Sequence, residues 1–435
     1  MIIKIKTENQ FLLDLLHKNP NTDNGLYLKS HKNGVLVGMA IHAHEYHVLF
    51  QDSKYSYLPE DSNQVDYQSY CSPLLVLHIC NEFFSQVLKE KSSYYNEVIS
   101  WLSKTKLEVD NHQCEIELPS FYIHSNWYRN DKFLLTKYFK NITVEHQVGK
   151  LFHLKIHGEN VFEAMNLLSL VSVFTHITNE YGIHTFIDDE FAIKYNRILT
   201  NINNVPYFIF YLFIKRAVKS DRQFQTLKPQ MEKYFLEQGI EANFTFYDTH
   251  LNRILFVTNL LDDSHSILDF GCGEFKYFKK INKATFNKSY HAIDIDDSFR
   301  DLFSKLKAES KKENFYFYNQ LEEFPNDEKV NVILSEVIEH NTIEDAKKII
   351  QSLMQLNYHQ IIITTPNSEF NEYYQLDDEM RHDDHEFEFN SIEFKDFINE
   401  TTKEFQNFTL NFYGIGDSLN GIQPTQAVVI KNTSI

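Results

Sequence analysis

Glycine, proline, cysteine and tryptophan are all scarce in this 435-residue chain, with 12 Gly, 9 Pro, 4 Cys and 2 Trp. So little Gly and Pro excludes collagen-like and Pro/Gly low-complexity chains. The four cysteines (Cys71, Cys80, Cys114, Cys272) form no CxxC pair, which excludes a disulfide framework and a thiolate zinc site. Basic side chains are outnumbered, 42 Lys+Arg against 60 Asp+Glu, giving a net charge of −18 and a pI near 5.5. That balance excludes a broadly basic nucleic-acid-binding surface and leaves room for local basic patches. Long apolar runs are missing too. The most apolar stretch, "VPYFIFYLFI" (205–214), is about half of the ~20 residues that span a bilayer. The opening "MIIKIKTENQ" lacks the basic-then-apolar profile of a secretory signal. The expectation is a soluble, reducing, cytoplasmic protein with no membrane segment. What the chain does have is 43% hydrophobic and 15% aromatic residues, ample for packed cores, and a length that suggests two or three domains.

The first part alternates in strand fashion in "MIIKIKT", "LVGMAIHA", "EYHVLF" and "NHQCEIELPSFYI". "PLLVLHICNEFFSQVL" reads as a helix, and so does "VFEAMNLLSLVSVFTHI", with Phe162, Met165, Leu168 and Val171 facing inward. These elements predict an α+β domain over 1–204. A helical connector follows over 205–245, carrying Lys215, Arg216, Lys219, Arg222 and Lys228 and interrupted at Pro229. From 246 to 435 the rhythm changes to alternating helices and buried strands: "SILDF", "YHAIDID", "NFYFYNQ", "VNVILSEV" and "QIIITTPN". This is the pattern of a parallel, Rossmann-like α/β sheet, whose ligands lie beyond the carboxyl ends of the strands.

Two stretches carry chemistry. In "LDFGCGEF", Asp269 ends a strand, and Gly271 and Gly273 permit a tight turn close to a ligand. Lys276 stands where a dinucleotide fingerprint has its third glycine. A GxG turn with an acid before it, and Asp294 ending the next strand, suits a ligand with an amino acid part and a ribose. S-adenosylmethionine fits this better than NAD, with Asp294 accepting from the ribose hydroxyls and Asn319, with Gln320, placed to read adenine. In "SEVIEHN", Glu336, Glu339 and His340 stand at i, i+3 and i+4, one face of a helix if the run is helical. Two carboxylates and an imidazole suit Mg²⁺ or Mn²⁺, and "RHDDHEFEF" (381–389) offers His382 and His385 as a further ligand.

Together, "ILDFGCGE", "AIDID", "SEVIEH", "TTPNSEFN", "RHDDHEFEFNSIEFKDF" and "GDSLNGIQPTQAVVI" resemble the small-RNA 3′-terminal ribose 2′-O-methyltransferase family, closest to its bacterial RNA-repair branch. "TDNGLYLKSHKN" and "HGENVFEAMNLLSLVSVFTHITNEYGIHTFIDDEF" extend the likeness into the first half. Phe389 stands where the family usually has tryptophan. The resemblance implies a metal set of Glu336, Glu339, His340 and His385. It leaves His382 for the target hydroxyl and Arg381 for the terminal phosphodiester, with His340 or His382 receiving the proton. It further implies that 246–435 is an S-adenosylmethionine-dependent methyltransferase domain acting on the RNA 3′ end. Residues 1–204 would then activate the ligase of a partner, a polynucleotide kinase-phosphatase-ligase.

The chemistry behind this expectation is simple. A ribose 2′-OH is a poor nucleophile at neutral pH, and a divalent ion beside the 2′ and 3′ oxygens lowers its pKa and orients it. Such an ion also selects a free 3′ end. Two other readings remain open on the residues alone: a methyltransferase for a different acceptor, and a non-catalytic RNA-repair scaffold that activates a ligase.

Overall fold

The computed structural model describes residues 1–434 except 19–25, 32–33, 53–70, 89–96, 101–102, 109–111, 124–127, 130–131, 134, 178–186, 282–285 and 376–379. Of the stretches that carry the resemblance, residues 22–25, 32–33 and 178–186 lie outside the described ones. The chain divides into two compact units, Met1–Tyr234 and Phe235–Ile435. Among the described residues no helix is long and apolar enough to cross a membrane.

The first unit is built on an antiparallel sheet of seven strands: β1 (Ile2–Thr7), β2 (Leu26–His31), β3 (Gly34–His42), β4 (Glu45–Asp52), β5 (Cys114–Tyr122), β6 (Ile142–Val148) and β7 (Leu151–Gly158). They stand in the order β6-β7-β5-β1-β4-β3-β2. Alternation decides which side is buried. Ile3 and Ile5 of β1, and Ile116 and Leu118 of β5, are inside, while Lys4 pairs with Glu117 across the strands at 3.2 Å. Helix α1 (Pro73–Glu82) starts at Ser72, whose hydroxyl accepts from the Leu75 N–H.

Helix α2 (Val161–Ile177) packs on β7 and β5. The inward stripe expected for α2 widens to nearly its whole circumference, because the run has no charged residue after Glu163. Two of its buried polar side chains donate back into the helix, Asn166 to the Phe162 carbonyl and Ser172 to that of Leu168, each at 2.7 Å.

Helices α3 (Asp189–Asn201), α4 (Tyr207–Ala217) and α5 (Asp221–Leu236) follow. Apart from the last residues of α5, they fall in the first unit. Pro229 does not interrupt α5. It sits on the exposed side, and the loss of one backbone bond is outweighed by Phe224, Leu227, Met231 and Tyr234, buried along the other side.

In the second unit each expected strand is present. Helix α6 (Thr249–Leu260) leads to β8 (Ser266–Phe270), α7 (Lys276–Ile281), β9 (Tyr290–Ile293), α8 (Phe299–Ser310), β10 (Phe315–Tyr318), β11 (Val330–Ser335), α9 (Ile343–Met354) and β12 (Tyr358–Pro366). Helix α10 (Ser391–Thr402) and an antiparallel pair, β13 (Phe408–Ile415) and β14 (Thr425–Asn432), complete it. The order is β10-β9-β8-β11-β12-β14-β13, parallel as far as β12. This is the Rossmann-like sheet that the alternation predicted.

Both faces of the sheet are covered, so its strands read as unbroken apolar runs. Ile361 and Ile363 pack with Ile350, Leu353, Phe394 and Ile398 on one side. Ile362 packs with Val257, Phe275 and Phe278 on the other. The strand order reverses between β8 and β11, and the crevice beyond their carboxyl ends is where such sheets bind ligands.

Candidate active site

Two turns meet in that crevice. After β8 the N–H groups of Gly271 and Cys272 both donate to the Ile293 carbonyl, at 2.8 and 3.1 Å, which folds the turn over the end of β9. Gly271 has φ +74°, and a Cβ there would lie 2.4 Å from Val337 Cγ2. Gly273 has φ +46° and faces open space. Its N–H donates to Asp294 Oδ2 at 2.8 Å, and the Asp296 N–H donates to Oδ1 at 3.0 Å. Asp294 is half-buried, and each of its oxygens retains lone pairs for a hydroxyl donor. Asn319 turns inward: its amide donates to the Asp294 carbonyl at 3.2 Å and its oxygen accepts from Arg300. It braces the acid loop.

Asp269 is not at the ligand face. It is 2% exposed and accepts from the Tyr290 hydroxyl at 2.5 Å. Burial pushes its carboxyl up to about 7; the Tyr290 bond opposes this and the charge of Asp294 adds to it. Because the folded pKa is raised, the stabilisation is complete below the ordinary carboxylate range and is lost as pH rises through about 7. The difference is on the order of 4 kcal/mol. Stability of the wild type in denaturant unfolding should therefore fall between about pH 4 and pH 7, while Asp269→Asn, which keeps an acceptor for Tyr290, should show a flatter profile. Parallel profiles would refute the assignment.

The second turn corrects the helical reading of "SEVIEH". Glu336 N–H still pairs with the Thr364 carbonyl of β12 at 2.9 Å, but its φ is +54°. Only a single 3₁₀ turn, Ile338–His340, follows. The left-handed residue, uncommon outside glycine, breaks the helix face, and the two glutamates take different partners. Glu336 Oε2 meets Arg253 of α6 at 2.7 Å, and its Oε1 accepts from Thr364 at 3.1 Å. Glu339 points inward. It is 0% exposed, with Oε2 accepting from Thr365 at 3.1 Å and Oε1 buried with no hydrogen-bond partner among the described residues. Burial first, then the charge of Glu336, holds its carboxyl well above the usual range.

The 381–389 loop supplies the other side. The Glu386 N–H donates to the Glu339 carbonyl at 2.8 Å, tying the loop to the turn. His385, 5% exposed, is held through Nδ1 by Glu388 Oε1 at 2.7 Å. Burial pushes Glu388 up, but bonds from Asn371, the Arg381 N–H and His385 outweigh it and hold its carboxyl below the usual range. His340 Nδ1 lies 3.2 Å from the Asp384 carbonyl and 3.3 Å from Asp384 Oδ2. Both imidazoles are thus oriented through Nδ1, which leaves Nε2 for a ligand. The ligand atoms of Glu339, His340 and His385 lie within 4.8 Å of one another.

Three residues of the expected metal set are therefore brought together, and Glu336 is paired with Arg253 instead. His382 is exposed, its ring 5.2 Å from that of His385. Arg381 does not face outward for a phosphodiester. Its guanidinium donates to Asn371 Oδ1 at 2.7 Å and to the carbonyls of Asn367 and Pro424, each at 2.5 Å, so that it braces the loop. Sequence reasoning missed Arg253, Thr365, Asp384 and Glu388. Of these only Asp384 and Glu388, inside "RHDDHEFEF", carried a signal, as acids flanking a ligand histidine.

A family model for the Hen1 N-terminal domain matches residues 2–236. A chain of the solved Pnkp1/Rnl/Hen1 RNA repair complex is similar to this one, with 49% identity, coverage of 99% of this chain and 100% of that chain, and a TM-score of 0.88. A small RNA 2′-O-methyltransferase of Tetrahymena thermophila is 24% identical over 172 residues, 35% of this chain and 41% of that protein. One of Drosophila melanogaster is 25% identical over 178 residues, 36% of this chain and 44% of that protein. The chain thus spans about two fifths of the length of these curated relatives. With more than half of its residues matched by the family model, the chain belongs to the Hen1 N-terminal domain family.

Proposed function

We propose that the second unit transfers a methyl group from S-adenosylmethionine to the 2′-OH of the 3′-terminal ribose of RNA, with a divalent ion held by Glu339, His340 and His385. One observation carries the reading: Glu339, whose buried Oε1 has no hydrogen-bond partner among the described residues, is clustered with two oriented imidazoles beyond the carboxyl end of β11. A carboxyl buried without a partner costs stability, on the order of 1–3 kcal/mol, unless a cation meets it. One carboxylate and two imidazoles favour Mn²⁺ over Mg²⁺, which prefers oxygen ligands alone. When bound, the ion would lower the pKa of the ribose hydroxyl.

The side chains around it do the positioning. Glu388 and Asp384 fix the two imidazoles, and Arg381 holds the loop on which His385 stands. Arg253 neutralises Glu336 beside the crevice. His382, exposed and with its ring 5.2 Å from that of His385, would take the hydroxyl proton. The Gly271–Gly273 turn and Asp294 would hold the amino acid and ribose parts of S-adenosylmethionine. Because Val337 lies against Gly271, the methyl donor and the ion-binding turn share one wall.

Transfer of labelled methyl to short RNAs tests the proposal. RNA ending in a 2′,3′-diol should be labelled, whereas 3′-phosphate and 2′-deoxy ends should not. Equal labelling of all three would rule it out.

The likeness over 99% of the chain to a member of the Pnkp1/Rnl/Hen1 complex supports a role in RNA repair beside a kinase-phosphatase-ligase; in this proposal the first unit would activate that ligase. Adenylylation of that ligase should rise when residues 1–234 are present in the added chain. No change would count against the role.

A further inference from the structure

The second unit carries another cluster of metal-ligating side chains, at the opposite edge of the sheet from the crevice. Ser266, Val330 and Tyr358 are aligned where β8, β11 and β12 begin. His265 precedes β8, His359 is the second residue of β12, and Asp262 lies in the loop that joins α6 to β8. Glu336, at the far end of β11, is separated from this edge by the length of the strand, roughly 17–20 Å. The ligand atoms of Asp262, His265 and His359 lie within 4.8 Å of one another. The two imidazole rings are 4.4 Å apart, tilted by 57°, and His359 Nε2 is 3.7 Å from Asp262 Oδ2.

The framework under this trio is built from buried amides. Asn331 of β11 is 0% exposed, and its Nδ2 donates to the Asp262 carbonyl at 3.0 Å. Gln360, next to His359, is also buried. Its Nε2 donates to Asn331 Oδ1 at 3.0 Å and to the Leu260 carbonyl at 2.6 Å. Two amides placed inside an apolar sheet thus tie the loop bearing Asp262 and His265 to the strand bearing His359. The loop is fixed from within as well, by the Ser264 N–H on Asp262 Oδ1 at 2.9 Å and the His265 N–H on the Asp262 carbonyl at 3.1 Å. Neither imidazole makes a hydrogen bond among the described residues, and His359 Nε2 faces Asp262 Oδ2. Ligands from two separate segments, held by a common second layer of hydrogen bonds, are what a metal site requires of a fold.

We propose that Asp262, His265 and His359 bind one divalent transition-metal ion, Zn²⁺ for preference, which clips the α6–β8 loop to β12. Two imidazoles and a carboxylate match the zinc donor set, with solvent completing the coordination. The site does not depend on the function proposed for the crevice.

The test is the zinc content of the full chain after equilibrium dialysis against Zn²⁺, read as a difference between variants so that ions held elsewhere cancel. His359→Ala and the volume-conserving His359→Gln should each bind one equivalent fewer than the wild type, and Zn²⁺ should raise Tm less in His359→Gln than in the wild type. His385→Ala, altered in the crevice, should retain that equivalent. Zinc content equal to the wild type in both His359 variants would overturn the proposal. So would an equivalent lost in His385→Ala and in neither His359 variant. If His359→Ala fails to fold, His359→Gln and His265→Gln carry the comparison.

Discussion

Glu339→Ala should lower methyl transfer by on the order of 10³-fold, about 4 kcal/mol of barrier. Binding of S-adenosylmethionine should change by no more than about threefold, under 1 kcal/mol. The reason lies in the division of the crevice. Glu339 offers its one unpartnered oxygen to the cluster formed with His340 and His385, whereas the Gly271–Gly273 turn and Asp294 make no hydrogen bond to it. The substitution should also leave the ion-free protein no less stable, because it removes a buried carboxyl whose Oε1 has no hydrogen-bond partner among the described residues. A residue important to the fold would behave in the opposite way. Matched measurements of labelled transfer, calorimetric cofactor binding and denaturant midpoint check all three parts. Transfer within tenfold of the wild type would remove Glu339 from the site.

Gly271→Ala should be strongly disruptive for a change of one methyl group. The new Cβ would lie 2.4 Å from Val337 Cγ2, and the backbone at φ +74° disfavours any side chain. Left-handed strain and overpacking together should cost on the order of 2–4 kcal/mol. Val337 directly precedes the 3₁₀ turn that carries Glu339 and His340, so the clash is transmitted to the ion ligands, and transfer should fall by on the order of 10²-fold. Val337→Ala added to Gly271→Ala should relieve the steric part and leave the backbone part, giving a coupling of about 1–2 kcal/mol in a double-mutant cycle. Purely additive effects would mean that the two turns do not communicate through this contact.

The strands of the second unit are legible in the sequence because they are apolar runs with abrupt ends, at a glycine or an acid in "SILDFG" and "YHAIDID" and at asparagine or proline in "NFYFYNQ" and "QIIITTPN". Strand order was not legible, nor was the antiparallel pair at the end, since both depend on contacts far apart in the chain. The same limit hid Arg253: a lone arginine on the helix "THLNRILFVTNL" carries no mark of the glutamate that it meets across the crevice.

Glu339, His340 and His385 were readable as residue types at a spacing. What spacing could not convey is that Glu336 takes a left-handed conformation, which breaks the supposed helix face and removes it from the cluster. Asp269 misled in the other direction. An acid at a strand end looks like a ligand residue, yet one that is followed by Phe270 and packed under Tyr290 belongs to the interior. Pro229 did so as well, because its helix is held by the apolar face rather than by an unbroken hydrogen-bond ladder.

The central claim is that the crevice holds a divalent ion through a buried carboxylate and two oriented imidazoles. Mn²⁺ binding to the full chain, followed by electron paramagnetic resonance across a pH series, tests it most directly. The account predicts one bound Mn²⁺ fewer in Glu339→Ala and in His385→Ala than in the wild type. Its affinity should rise with pH, since the Glu339 carboxyl, held above its usual range by burial, must release its proton to bind. Mn²⁺ binding by the two variants indistinguishable from the wild type would contradict it.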